Sequence, residues 1–260
     1  MASDARRDDA ADAGPEGPGR RRGARPWLLL AVAVVVLVAG GAFVAVAVRH
    51  RQQQGSLTSL RASGLPDNVP TPLANLMTLA SVPHRKAPGF DLVNQNGREL
   101  SLSSLRGRVV VLTFMDPHCR TICPIVSQEF VDAYHDLGRT ARHVAFVAVN
   151  VNPYFKTPAD VAAFSREHGL DAIPSWRYVT GSMQALKQTW RHYTITVEAS
   201  GPTADVVHTS FVYFIGPNGT ERYLASPTDD HTTSGTAYLP ANQLTSWGRG
   251  IALVARDLIG

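Results

Sequence analysis

The sequence predicts an α/β domain, a mixed central sheet flanked by helices, preceded by one transmembrane helix. Three observations carry that prediction. Residues Trp27 to Val48 are almost wholly apolar and carry no charged side chain, and about 20 such residues rising 1.5 Å each cross a hydrocarbon layer of about 30 Å. Two later runs, Val109–Phe114 and Val144–Val149, are continuously apolar over strand length, as in parallel strands covered on both faces. Helical signals follow each run: Val126, Phe130, Tyr134 and Leu137 recur at intervals of three and four after the first, and Thr157-Pro158 opens a helix after the second.

Taken in order, residues 1–26 are rich in Ala, Gly, Asp and Arg without apolar periodicity and read as a disordered tail. Arg20, Arg21, Arg22 and Arg25 precede the apolar segment 27–48, while only Arg49 and Arg51 follow it closely. The heavier cluster keeps the N-terminus cytoplasmic, which exports residues 49–260 from a single-pass membrane anchor. Ala45-Val46-Ala47 offers a signal-peptidase site, so a cleaved signal is the rival reading; its apolar stretch of about 17 residues exceeds the usual 7–15. The formal net charge of +4 owes much to this arginine cluster and points to anionic lipid as a partner, not to nucleic acid. Residues 49–84 are assigned to a linker because Gln, Ser, Asn and Pro dominate and Pro66, Pro70 and Pro72 discourage regular structure, although Leu73–Leu79 can form a short helix.

Residues 85–260 form the folded domain. Leu92 with Asn94, Asn96 and Gly97 predicts a strand and turn, and Ser101–Leu105 leads through Gly107 into the first buried strand. Thr157 as N-cap, Pro158 at the first helical position and Gly169 at the end bound one helix. Trp176–Val179 is a third strand, Ser182–Trp190 a further helix, and Ser210–Ile215 a strand turning at Gly216-Pro217-Asn218-Gly219 into Arg222–Ala225. Leu244, Trp247, Ile251, Val254 and Leu258 make one apolar stripe of a closing helix. Strand–helix–strand–helix, then a hairpin and a helix, is the order of a thioredoxin-like domain.

The chain has two cysteines, and both lie in Asp116-Pro117-His118-Cys119-Arg120-Thr121-Ile122-Cys123-Pro124, between the first buried strand and its helix. A helix N-terminus favours a thiolate, the form that attacks disulfides and binds metal. A bridge closing so short a loop removes little chain entropy, which argues against a purely structural disulfide. Redox exchange and metal binding both remain open on these residues alone.

Further motifs carry a resemblance. Ala87-Pro88-Gly89-Phe90-Asp91-Leu92 and Leu105-Arg106-Gly107 are shared by thioredoxin-like and peroxiredoxin-like proteins and support the fold only. Thr113-Phe114 leading to Cys-x-x-x-Cys-Pro, Asn150-Val151-Asn152-Pro153 with Thr157-Pro158, Val179-Thr180-Gly181, and His208 before a strand ending in Gly-Pro-Asn-Gly together resemble the SCO/SenC family over residues 87–259. The resemblance implies a membrane-tethered copper-binding protein of cytochrome oxidase assembly, with Cys119, Cys123 and His208 as ligands for Cu(I) or Cu(II). It also implies a redox-active Cys119–Cys123 pair able to form a disulfide, and, as partners, a respiratory oxidase copper-site subunit and a thiol reductant. The chain departs from the family at Arg120, where Pro is usual, at Asn152, where Asp is usual, and at Thr209, where Ser is usual. Arg120 favours thiolates and disfavours a bound cation.

Two sulfurs and an imidazole suit both oxidation states of copper, whereas a structural zinc site takes four ligands. His118 competes as a ligand or thiol activator because it adjoins Cys119, and Asp116 is placed to tune the site electrostatically. The leading reading is a copper-delivery chaperone without turnover. The alternative is a thiol–disulfide oxidoreductase with Cys119 attacking and Cys123 resolving, and a peroxidase lacks its Thr-x-x-Cys arrangement here.

Overall fold

The structure, a computed structural model, describes residues 64–260. The predicted tail, the predicted anchor at 27–48 and the start of the predicted linker lie outside the described residues, among which no helix is long and apolar enough to cross a membrane.

The two apolar runs are the centre of the sheet. β4 (Val109–Met115) and β5 (Val144–Asn150) are buried at every position, and they pair in parallel from Val109↔Val144 to Met115↔Asn150. Side chains alternate between two cores: Val109, Val111 and Met115 enter one, Val110, Leu112 and Phe114 the other. Both faces are therefore apolar, which is why no polar alternation shows in the sequence. β6 (Trp176–Thr180) extends the parallel set beyond β5. Antiparallel strands complete it: β1 (Ala80–Lys86), β2 (Asp91–Asn94), β3 (Glu99–Ser101), β9 (Val212–Ile215) and β10 (Thr220–Ala225). The order is β1-β10-β9-β4-β5-β6-β2-β3, a mixed eight-stranded sheet.

Helices follow the strands as the periodicity predicts. α2 (Ile122–Leu137) buries Val126, Phe130 and Leu137. α3 (Pro158–Glu167) opens with a reciprocal cap in which Asp160 N donates to Thr157 Oγ1 and Thr157 N donates to Asp160 Oδ2. α4 (Met183–His192) covers the second core through Leu186 and Trp190. α5 (Ala241–Ile259) buries Trp247, Ile251, Val254 and Leu258, with Leu244 half-buried. Gly248 lets α5 press on α2, since a Cβ there would stand 2.5 Å from Asp132 Cβ and 3.1 Å from Ala133 N.

The linker assignment needs correction from residue 64 onward. Residues 71–86 are part of the domain: α1 (Thr71–Leu76) with Met77 packs into the first core, and β1 pairs antiparallel with β10. The prolines misled because their positions tolerate them. Pro70 is the N-cap of α1 and Pro72 lies in its first turn, where an amide N–H has no intrahelical partner. Pro83 sits in an edge strand, within an irregularity between Ser81 and Arg85. Arg85 Nε then donates to the buried Glu221 carboxylate at 2.6 Å.

Two short hairpins were not predicted. β7 (Val197–Ala199) pairs with β8 (Val206–His208), and β11 (Asp230–His231) with β12 (Ala237–Tyr238), each as its own two-stranded sheet.

Candidate metal and thiol centre

The loop leaving β4 is held from below. Asp116 is buried, and its Oδ1 accepts from the His118 amide and from Asn152 Nδ2, both at 2.8 Å. Asn152 in turn accepts at Oδ1 from the amides of Tyr154 and Phe155, and its own amide donates to Asn150 Oδ1. An aspartate at 152 would set a second carboxylate against Asp116 in a buried place. The amide at this position is therefore matched to its surroundings.

Cys119 stands where a capping side chain normally would. Thr121, the N-cap of α2, makes no side-chain cap bond; instead the Cys123 amide donates to Cys119 Sγ at 3.4 Å. Thr121 Oγ1 lies 3.5 Å from the same sulfur. Cys119 is pulled down to about 6 by the hydrogen bond from the Cys123 thiol, with Thr121 and the two backbone amides helping against partial burial. Cys123 is 2% exposed, and its pKa is driven well up, first because its proton is held in the bond to Cys119, then by burial. The reduced pair thus carries one thiolate, on the half-exposed Cys119, and one thiol behind it.

His208 ends β8, opposite Val197. Its Nδ1 lies 3.0 Å from the Thr209 carbonyl oxygen. A carbonyl only accepts, so Nδ1 carries the proton and Nε2 keeps its lone pair. Burial lowers the His208 pKa, opposed by the Thr209 bond and the charge of Asp116, so the ring is neutral at pH 7. The base of the hairpin is tied by Thr209 N to Thr196 O at 3.1 Å and by Tyr213 Oη to Tyr193 O at 2.6 Å.

The structure brings the two sulfurs together, lines the groove beside Cys119 with His118, and sets Asp116 where its charge acts on both Cys123 and His208. Among the described residues no three His, Cys, Asp or Glu side chains converge closely enough to hold a metal ion. His118 is exposed and stacks on Phe155, with ring centroids 3.5 Å apart and 19° between planes.

Tyr178 is a neighbour that sequence reasoning passed over. It is fully buried in the same core as Cys123, its hydroxyl has no hydrogen-bond partner, and burial followed by the charges of Cys123, Asp116 and Cys119 pushes its pKa up. The only sequence signal is an aromatic residue with a polar tip inside the strand Trp176–Thr180.

A sequence model of the SCO1/SenC family matches residues 80–236, more than half of the chain. A SCO1 protein homolog of Bacillus subtilis (strain 168) is 27% identical over 132 residues, covering 50% of this chain and 68% of its own. A mitochondrial SCO2 homolog of Bos taurus is 27% identical over 214 residues, 79% of this chain and 69% of its own. Among solved structures, copper-bound ScoI of Bradyrhizobium japonicum superposes with a TM-score of 0.52 at 19% identity, covering 67% of this chain and all of that one. Apo Sco1 of Thermus thermophilus superposes with a TM-score of 0.50 at 21% identity, over 66% of this chain and 91% of that one. At such identities the superpositions speak to the fold, and the family match rests on the sequence from β1 through the turn between β11 and β12: this chain belongs to the SCO1/SenC family.

Proposed function

We propose that this protein binds copper as cargo through Cys119, Cys123 and His208 and serves cytochrome c oxidase assembly from the outer face of a membrane, tethered by residues 27–48. The observation that carries the reading is the divided charge of the cysteine pair. A thiolate at Cys119, a thiol at Cys123 and a neutral imidazole with Nε2 free are soft and borderline donors, a set that suits Cu(I) and, through the nitrogen, Cu(II). The copper bound in the Bradyrhizobium relative supports the same cargo. The chain's own part is to expose one sulfur, hold the second proton until loading, and keep the imidazole in the tautomer that can ligate. Loading releases the Cys123 proton, so binding is coupled to pH.

The same arrangement favours a second reading, reduction of cysteines at an oxidase copper site. An attacking thiolate backed by a protonated resolving thiol is what disulfide exchange needs, with an external thiol reductant closing the cycle. The full chain, reduced, tests the two. Titration with Cu(I) against a chromophoric competitor should show one ion per chain, and the Cys119–Cys123 disulfide should release it. Fast multiple turnover with a disulfide substrate, unchanged in His208→Ala, would favour the oxidoreductase; failure of the reduced chain to take up Cu(I) would remove the copper reading.

A further inference from the structure

Cys119 opens sideways into a groove of about 570 Å³ between the segment 117–124 and α3. Its walls include Ala159 and Ala163, one helical turn apart, with Phe164 beneath and Glu167 and His168 at the far end. β4 and β5 are parallel, and α2 and α3 follow them, so both helices start at the same sheet edge and run back along it. Cys119 therefore lies by the start of α3, and Glu167 and His168 lie about 13 Å along its axis, the reach of about four extended residues.

The charges along this groove are unspent. Arg120 is exposed beside Cys119 and, among the described residues, forms no ion pair; the same holds for Glu167 at the other end. Asp160 also lines the groove; its Oδ2 accepts from Thr157 N and Oγ1 in the cap of α3, and its negative charge stays there. Arg120 also reaches a second cavity lined by Asp205, with which it makes no ion pair. The groove thus offers a free cation next to the reactive sulfur and a free anion one short peptide away.

We propose that this groove is the docking site for an extended, cysteine-bearing segment of a partner protein, with a carboxylate next to its cysteine for Arg120 and a basic residue about three positions further for Glu167. The proposal rests on Cys119 being the exchanging sulfur and adds the class of partner. Ala159 and Ala163 leave the width for a backbone, and a segment laid there brings its sulfur to Cys119 without touching the sealed Cys123.

The test uses the reduced full chain in detergent micelles and peptides whose cysteine is disulfide-linked to thionitrobenzoate. Cys119 thiolate forms a bond to the peptide sulfur, the old disulfide breaks, and thionitrobenzoate leaves with the electron pair, coloured and without net oxidation. A Glu-Cys-x-x-Lys peptide should react at least tenfold faster than its charge-swapped counterpart at low salt, and Arg120→Glu should reverse the preference at the adjacent position. Ala163→Trp should slow the favoured peptide about tenfold, with the rate toward hydroxyethyl disulfide as each variant's reference. Should Ala163→Trp slow that reference too, Glu167→Lys decides: loss of the lysine advantage supports the groove, and no change overturns it. Equal rates for all peptides, or a glutathione mixed disulfide reacting as fast as the favoured peptide, would also overturn it. Loss of reactivity toward hydroxyethyl disulfide in the wild type, or of Cu(I) uptake, would instead strike at the function proposed above.

Discussion

The junction of β4 with α2 and the hairpin that carries His208 are built on opposite plans. At the junction, Asp116, Asn152, Thr121 and the first amides of α2 all bond into one short loop, and the sulfurs meet before any ligand arrives. The β7–β8 hairpin forms its own two-stranded sheet, is tied at its base, and rests on the second core through Val197, Ala199 and Val206. The sulfurs are therefore preorganised by hydrogen bonds within one loop, and the imidazole is carried by a separate element held by apolar packing. Loss of a sulfur should remove the site, whereas loss of the imidazole should only trim it.

The sharpest way to break that contrast is Cys123→Ala. It should weaken Cu(I) by more than about 100-fold, beyond what outer partners of a metal are worth, as read by competitive titration. In the same variant Cys119 loses the thiol that holds its charge. Iodoacetamide alkylation of the wild type should fall off below pH 6, tenfold per pH unit, because a depressed pKa keeps the thiolate only above it. In Cys123→Ala that midpoint should move upward. A midpoint near 9 in the wild type would mean the sulfurs do not meet in solution.

Asn152→Asp attacks the junction from beneath. A second buried carboxylate replaces the amide that donates to Asp116, at a cost of about 2–3 kcal/mol in denaturant unfolding at pH 7. The deficit should shrink in acid, where one carboxyl takes a proton. An unchanged stability would show that the loop is not held as described.

His208→Ala tests the other region. Cu(I) affinity should drop about tenfold, with two sulfurs remaining, and unfolding stability should change by less than about 1 kcal/mol. A complete loss of binding would make the imidazole the equal of the sulfurs. The smallest effect is expected at Tyr178→Phe, which deletes a buried hydroxyl that has no partner: stability should stay within about 1 kcal/mol or rise. A clear loss would reveal a bond from that hydroxyl in solution.

The sequence by itself determined the elements whose evidence is local. Continuous apolar runs announced β4 and β5, periodicity announced α2 and α5, and Thr157-Pro158 announced the start of α3, because burial on both faces, a 3.6-residue period and a cap are each written within a few neighbouring positions. The cysteine pair was legible for the same reason, since one helical start brings both sulfurs together. Tertiary structure alone decided the rest. Residues 71–84 read as linker, yet α1 packs into the core and β1 finds β10 about 140 positions away. Asn152 read as a departure without a reason until packing set Asp116 beside it, and Arg120, legible as a charge beside the thiols, gained a groove only when α3 supplied the opposite wall. Contacts between residues distant in the chain leave no period in the sequence, so which charges are paired and which are free were decided by packing.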